Sequence, residues 1–130
     1  MKPLLALTAL TTCLPVMANN WIPLAASDSG AYYGLAGSYE VRRNKSQEQI
    51  VVWTEKFEDR SASRISLQKL YVRTSDCLKK QGKGVVVNMD GDFKYEFDFI
   101  FGAGTVGSAR AETLCGIFLQ DREEANKKGI

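Results

Sequence analysis

The segment from Phe93 to Phe101 alternates aromatic residues with mostly charged ones, and no other pattern in the chain constrains the fold as strongly. The aromatic positions are Phe93, Tyr95, Phe97, Phe99 and Phe101, and the intervening positions are Lys94, Glu96, Asp98 and Ile100. Successive side chains of a strand point to opposite faces, so one face is wholly aromatic and the other mostly charged. Such alternation is typical of an antiparallel sheet with one covered and one solvated face.

The stretch that follows, Gly104 to Ile117, predicts a helix that covers the aromatic face. Thr105 is the candidate N-cap, because its hydroxyl can accept a hydrogen bond from a backbone N–H one turn later. The apolar residues that share one side of this helix, and that we expect to be buried, are Val106, Ala109, Leu114, Ile117 and Phe118. The polar tail at about 120–130 predicts a frayed helical extension.

Further strand patterns precede this unit, in segments 21–26, 31–33, 39–43, 49–57, 65–74 and 85–89. Within 65–74, Leu70 and Val72 are expected to point inward, and Lys69, Tyr71 and Arg73 outward. The Asp90-Gly91 pair is a hairpin signal before the last strand. These patterns predict an α+β fold, in which a single antiparallel β-sheet of about six strands packs against a C-terminal α-helix.

The N-terminus predicts a cleaved secretory signal peptide over residues 1–18. Lys2 precedes an apolar run that ends at Ala18, and the run is shorter than the roughly 20 residues of a membrane span. A buried N-terminal helix is the alternative. Cys13 raises the question of lipidation, but the residues around it are poor lipoprotein signals. The mature chain, 19–130, is predicted to be one domain without a transmembrane segment.

The mature chain contains two cysteines, Cys77 and Cys115. In an exported protein we expect them to form a disulfide, which closes the helix onto the sheet. Two buried free thiols are the alternative, which an oxidising compartment disfavours.

The residue types exclude several chemistries. The chain has no histidine, which removes Ser-His-Asp and Cys-His catalysis and every histidine metal site. A calcium loop starting at Asp90 fails, because Lys94 and Phe101 occupy ligand positions. We therefore predict no metal, no cofactor and no enzymatic activity. Carboxylate-only catalysis is the remaining enzymatic alternative, at the pairs Glu96 with Asp98 or Glu55 with Glu58.

One basic cluster stands out between Arg64 and Lys83, where Asp76 is the single acid. The candidate partner-binding residues are Lys69, Tyr71, Arg73, Lys79, Lys80 and Lys83. One interpretation is a contact surface for an acidic protein or a polyanion such as a glycosaminoglycan. The other is a solvated strand with edge-protecting lysines. The overall net charge is close to zero and implies no particular partner, and we predict no nucleic-acid binding.

The order and spacing of several residues resemble the surface-adhesin protein E family of small exported bacterial proteins. These residues are Trp21, Tyr32-Tyr33 after Asp28-Ser29-Gly30, Trp53, Leu70-Tyr71 ahead of Cys77, and Gly107-Ser108, Glu112 and Cys115 on the closing helix. The resemblance covers about Trp21 to Ile117. It implies an antiparallel sheet joined to a C-terminal helix by Cys77–Cys115, and a place in the periplasm or at the outer-membrane surface of a Gram-negative bacterium.

The same resemblance implies binding to host extracellular-matrix proteins and formation of homodimers, with contacts at Lys69, Arg73, Lys79 and Lys80. Two functional hypotheses follow. The first is a non-enzymatic, adhesin-like binding module of the cell envelope. The second is a periplasmic inhibitor or assembly factor that acts on an envelope enzyme through a rigid loop, either Glu58–Ser63 or Asp90–Asp92.

Overall fold

The computed structural model describes residues 20–129, so the predicted signal peptide, with Cys13, lies outside the described residues. The strands are β1 (Trp21–Ser27), β2 (Gly30–Leu35), β3 (Glu40–Arg43), β4 (Gln49–Asp59), β5 (Arg64–Arg73), β6 (Gln81–Val87) and β7 (Phe93–Ile100), and the helices are α1 (Thr74–Lys79) and α2 (Val106–Lys127). The predicted fold class is confirmed: an antiparallel sheet packs against the C-terminal helix, and one disulfide joins Cys77 to Cys115.

The strands are arranged in the order β1-β2-β4-β5-β6-β7, and β3 pairs with β4. β5 pairs with nearly the whole length of one edge of β4. β2 and β3 both pair with the other edge of β4, one after the other, like a single strand with a gap. Ser38 lies at the interruption. Its hydroxyl accepts a 2.7 Å hydrogen bond from the Thr54 N–H and donates one of 2.7 Å to the Leu35 carbonyl, so these two backbone groups at the gap have partners.

One face of the sheet, the inner face, packs against α2 and forms the core. The buried residues of this core come from the sheet and from both helices: Val51, Trp53, Leu70, Val72, Cys77, Val86, Phe99, Ala111, Leu114, Cys115 and Phe118. The predicted inward positions of β5 are confirmed, because Leu70 and Val72 are fully buried. The opposite face, the outer face, has no helix packed on it within residues 20–129. Neither α1 nor α2 is both long and apolar enough to cross a membrane.

The prediction of a wholly covered aromatic face is wrong at the start of β7. The pairing of β6 with β7 shifts register between Val86 and Val87, so Lys94 is an extra residue and Phe93 pairs with Val87. Such a bulge reverses the alternation of side chains beyond it. Phe93 therefore lies on the outer face and is 63% exposed. Tyr95 remains on the inner face, where α2 leaves it partly exposed.

The predicted cap of α2 is confirmed, because the Thr105 hydroxyl accepts a hydrogen bond from the Ser108 N–H. The buried residues of this helix are Ser108, Arg110, Ala111, Leu114, Cys115 and Phe118. Val106, Ala109 and Ile117, predicted to be buried, are only half-buried. The helix continues to Lys127, so the extension predicted at about 120–130 is helical over most of its length.

Candidate functional site: the outer face of the sheet

The outer face carries the central row of the predicted contact residues. Lys69, Tyr71 and Arg73 alternate along β5 with the buried Leu70 and Val72. Because alternate residues of a strand point to opposite faces, the three side chains form a row directed away from α2.

Two open grooves cross this face and meet at Tyr71. The smaller groove, of about 360 Å³, is lined by Glu48, Tyr71, Arg73, Lys83, Val85 and Glu96. The larger groove, of about 530 Å³, is lined by Arg42, Asn44, Lys45, Ser46, Ile50, Val52, Lys69, Tyr71, Val87, Met89, Asp90, Gly91, Asp92 and Phe93. Since Tyr71 lines both, the two grooves form one continuous surface.

Arg73 is neutralised by two acids. Its guanidinium donates to the Glu48 carboxylate at 3.3 Å and to the Asp76 carboxylate at 3.2 Å. The hydrogen bond to Glu48, followed by the charge of Asp76, raises the pKa of Arg73 above its ordinary value. Arg73 thus remains a cation, but its charge is already compensated within the chain.

Lys83 is neutralised in the same way by the charged positions of β7. Its ammonium group lies 2.7 Å from the Asp98 carboxylate and 3.9 Å from that of Glu96. The hydrogen bond to Asp98 and the charge of that carboxylate raise the pKa of Lys83. The smaller groove therefore has cations and carboxylates in balance, and is not strongly electropositive.

The larger groove keeps uncompensated positive charge. Within residues 20–129, no carboxylate lies within ion-pair distance of Lys69 or of Lys45. Arg42 is 3.9 Å from Glu40, but both side chains are more than half exposed, so this pair contributes little. Asp90 and Asp92 lie on the β6–β7 turn that also lines this groove.

Lys79 and Lys80 do not join the row. They lie at the end of α1, a helix that packs against α2 and carries Cys77, so they are on the helix side of the sheet. Both are exposed to solvent. The sequence cluster is therefore divided by the fold into an outer-face row and a separate pair on α1.

The inner face contains a buried ionic network that was not predicted from the sequence. Arg110 of α2 donates from Nε to Glu55 Oε2 at 2.7 Å and from Nη2 to Oε1 at 2.5 Å. The Gln68 amide donates to Glu55 Oε1 at 2.9 Å. Glu55 is completely buried and Arg110 is 3% exposed. Burial lowers the pKa of Arg110, but the hydrogen bond and charge of Glu55 outweigh it, and the pKa is raised.

Aromatic rings complete the environment of this arginine. The guanidinium carbon lies 4.0 Å from the ring centre of Tyr32 and 4.8 Å from that of Phe97. Such stacking adds cation–π attraction to the ion pair. The ion pair between Arg110 and Glu55, with the rings around it, therefore joins α2 to the sheet in addition to the apolar core.

The candidate catalytic carboxylates are not brought together as free groups. Glu55 points inward to Arg110, whereas Glu58 lies on the outer face beside Lys56. Glu96 and Asp98 both lie near Lys83. Across residues 20–129, no three acidic or cysteine side chains converge as metal ligands.

In each of the two loops of the inhibitor hypothesis, one side-chain oxygen accepts hydrogen bonds from backbone N–H groups of the loop. In the β4–β5 turn, Asp59 Oδ1 accepts hydrogen bonds from the Ser61 hydroxyl and from the N–H groups of Ser61 and Ala62. The bond from the Ser61 hydroxyl is the main cause of a lowered pKa at Asp59. In the β6–β7 turn, Asn88 Oδ1 accepts from the Asp90 and Asp92 N–H groups.

Comparisons of the chain with models of known protein families, with curated proteins and with solved structures gave no match.

Proposed function

We propose that this protein is a non-enzymatic, adhesin-like binding module of the bacterial envelope. Its contact surface is the outer face, and its partners are acidic or polyanionic, such as a host extracellular-matrix protein or a glycosaminoglycan. One observation carries the proposal: Lys69 lies beside Tyr71 on the uncovered face of the sheet, in an open groove that it shares with Lys45, and no carboxylate of residues 20–129 lies within ion-pair distance of either lysine.

The physical basis of binding is electrostatic attraction with an aromatic contact at its centre. A cation that forms no ion pair within the protein attracts an anion of the partner. A cation that is already paired must first give up the carboxylate of its own chain, so it gains less from binding. Lys69 and Lys45 therefore contribute most, and Arg73 and Lys83 least. Because the groove is open to solvent, salt should weaken binding steeply.

Two further features support a place outside the cytoplasm. A disulfide between α1 and α2 is suited to an oxidising compartment. The proposed signal peptide would deliver the mature chain to the periplasm or to the outer-membrane surface. The resemblance to the surface-adhesin protein E family adds matrix binding as the expected activity.

Reversing the charge of Lys69 should weaken heparin binding roughly tenfold at low salt, because one attraction becomes a repulsion. The test compares Lys69→Glu with Lys128→Glu by calorimetric titration against heparin. The control makes the same change of net charge on the exposed Lys128, which follows α2. We expect Lys128→Glu to bind like the parent protein, and binding of the parent to fall steeply as salt is raised.

Equal heparin affinities of Lys69→Glu, Lys128→Glu and the parent protein would contradict the proposed surface. That outcome would favour the second candidate, a periplasmic inhibitor or assembly factor. The observation in its favour is the β4–β5 turn that Asp59 braces, because inhibitors bind through preorganised loops.

A further inference from the structure

The bulge in β7 places an aromatic side chain where the strand pattern would not. Without the extra residue, Phe93 would lie on the inner face with Tyr95 and Phe97. With it, Phe93 lies on the outer face, 63% exposed, and Met89 of the neighbouring turn is 45% exposed. Both residues line the larger groove. Bulges often re-aim a side chain next to a binding site, and adjoining exposed apolar residues mark contact surfaces.

The rest of the larger groove divides into regions of different character. Its walls include the apolar Ile50, Val52 and Val87. Cations come from the β3 side, at Arg42 and Lys45, and from Lys69 on β5. The carboxylates among the lining residues, Asp90 and Asp92, lie on the β6–β7 turn. The groove therefore combines a positive region, an apolar surface and a negative region.

This combination discriminates between the two partner classes of the proposed function. A glycosaminoglycan carries negative charge along its whole length, so it would meet Asp90 and Asp92 and leave Phe93 and Met89 without an apolar contact. A protein segment can place its carboxylates against the positive region and an apolar side chain against Phe93 and Met89, and so keep its negative charge away from Asp90 and Asp92.

We propose that the larger groove binds an extended acidic protein segment. Its carboxylates lie against Lys69 and Lys45, and one large apolar side chain packs on Phe93 and Met89. This inference rests on the proposed function and narrows its partner to a protein segment. Phe93 provides the apolar selectivity of the groove, and Lys69 provides the attraction for charge.

The test uses two synthetic peptides of equal charge, each with a run of glutamates followed by one tryptophan or by one serine. Binding is measured by fluorescence anisotropy of a terminal dye. We expect the tryptophan peptide to bind the parent protein roughly tenfold more tightly, because it buries a large apolar side chain. Phe93→Ser should abolish that preference, so that the two peptides bind this variant with equal affinity. Met89→Ser should reduce the preference.

A matched control is Ile65→Ser. Ile65 is also 63% exposed, but it lies on the β4–β5 hairpin and does not line the groove, so the preference should survive. Equal binding of the two peptides to the parent protein, no binding of either, or a preference that survives Phe93→Ser would overturn the inference. Heparin binding that still depends on Lys69 would then leave the proposed function standing. If Lys69→Glu changed the binding of no probe, both would fall.

Discussion

Replacing Arg110 with methionine should lower the free energy of unfolding by about 3–5 kcal/mol, because the carboxylate of Glu55 would remain buried without its cation. Both oxygens of this completely buried side chain accept hydrogen bonds from the Arg110 guanidinium. Gln68 would be left as its remaining hydrogen-bond donor. Urea unfolding of the disulfide-bonded protein, followed by circular dichroism, measures the loss.

Two comparisons separate loss of the ion pair from loss of packing. Arg122→Met makes the same chemical change at an exposed position of α2 and should cost far less. Adding Glu55→Gln to Arg110→Met should recover much of the stability, because an amide replaces the unpaired charge. A cost no larger than that of Arg122→Met would contradict the role of the pair as the connection between α2 and the sheet.

Removing the disulfide should be nearly as damaging. The sequence separation of Cys77 and Cys115 is 38 residues, and the chain-entropy model gives about 4 kcal/mol for a loop of that size. That amount is a large part of the 5–15 kcal/mol that stabilises a typical domain. The double variant Cys77→Ala/Cys115→Ala should therefore unfold at a markedly lower urea concentration. A midpoint within experimental error of the parent's would show that the disulfide does not stabilise the domain.

The architecture could be predicted because its determinants are local. Alternation in β4, β5 and β7 defines strands, and a capped segment with periodic apolar residues defines α2. The disulfide followed from the cysteine count together with the inferred export. None of these required knowledge of which strands are neighbours.

The details of the site depend on such neighbours. Nothing in the β7 pattern signals that one residue of this strand is unmatched in β6, so the outward position of Phe93 was not predicted. Arg73 and Lys83 looked like free cations because Glu48 and Asp98 are distant in sequence.

The buried pair did leave a signal. Glu55 follows Val51 and Trp53 at the strand period, and Arg110 lies midway between Val106 and Leu114 at the helical period. A charged residue at a core position of each element indicates a buried ion pair, because neither charge could be buried alone.

We propose that the outer face of the sheet, and not its helix side, contacts the acidic partner. Backbone amide chemical-shift mapping of isotope-labelled protein during titration with heparin tests it directly. We expect saturating shifts at Lys69, Tyr71 and Val87, with the amides of α2 unchanged. Shifts confined to α2 or to Lys79 and Lys80, with the β5 row unchanged, would contradict it.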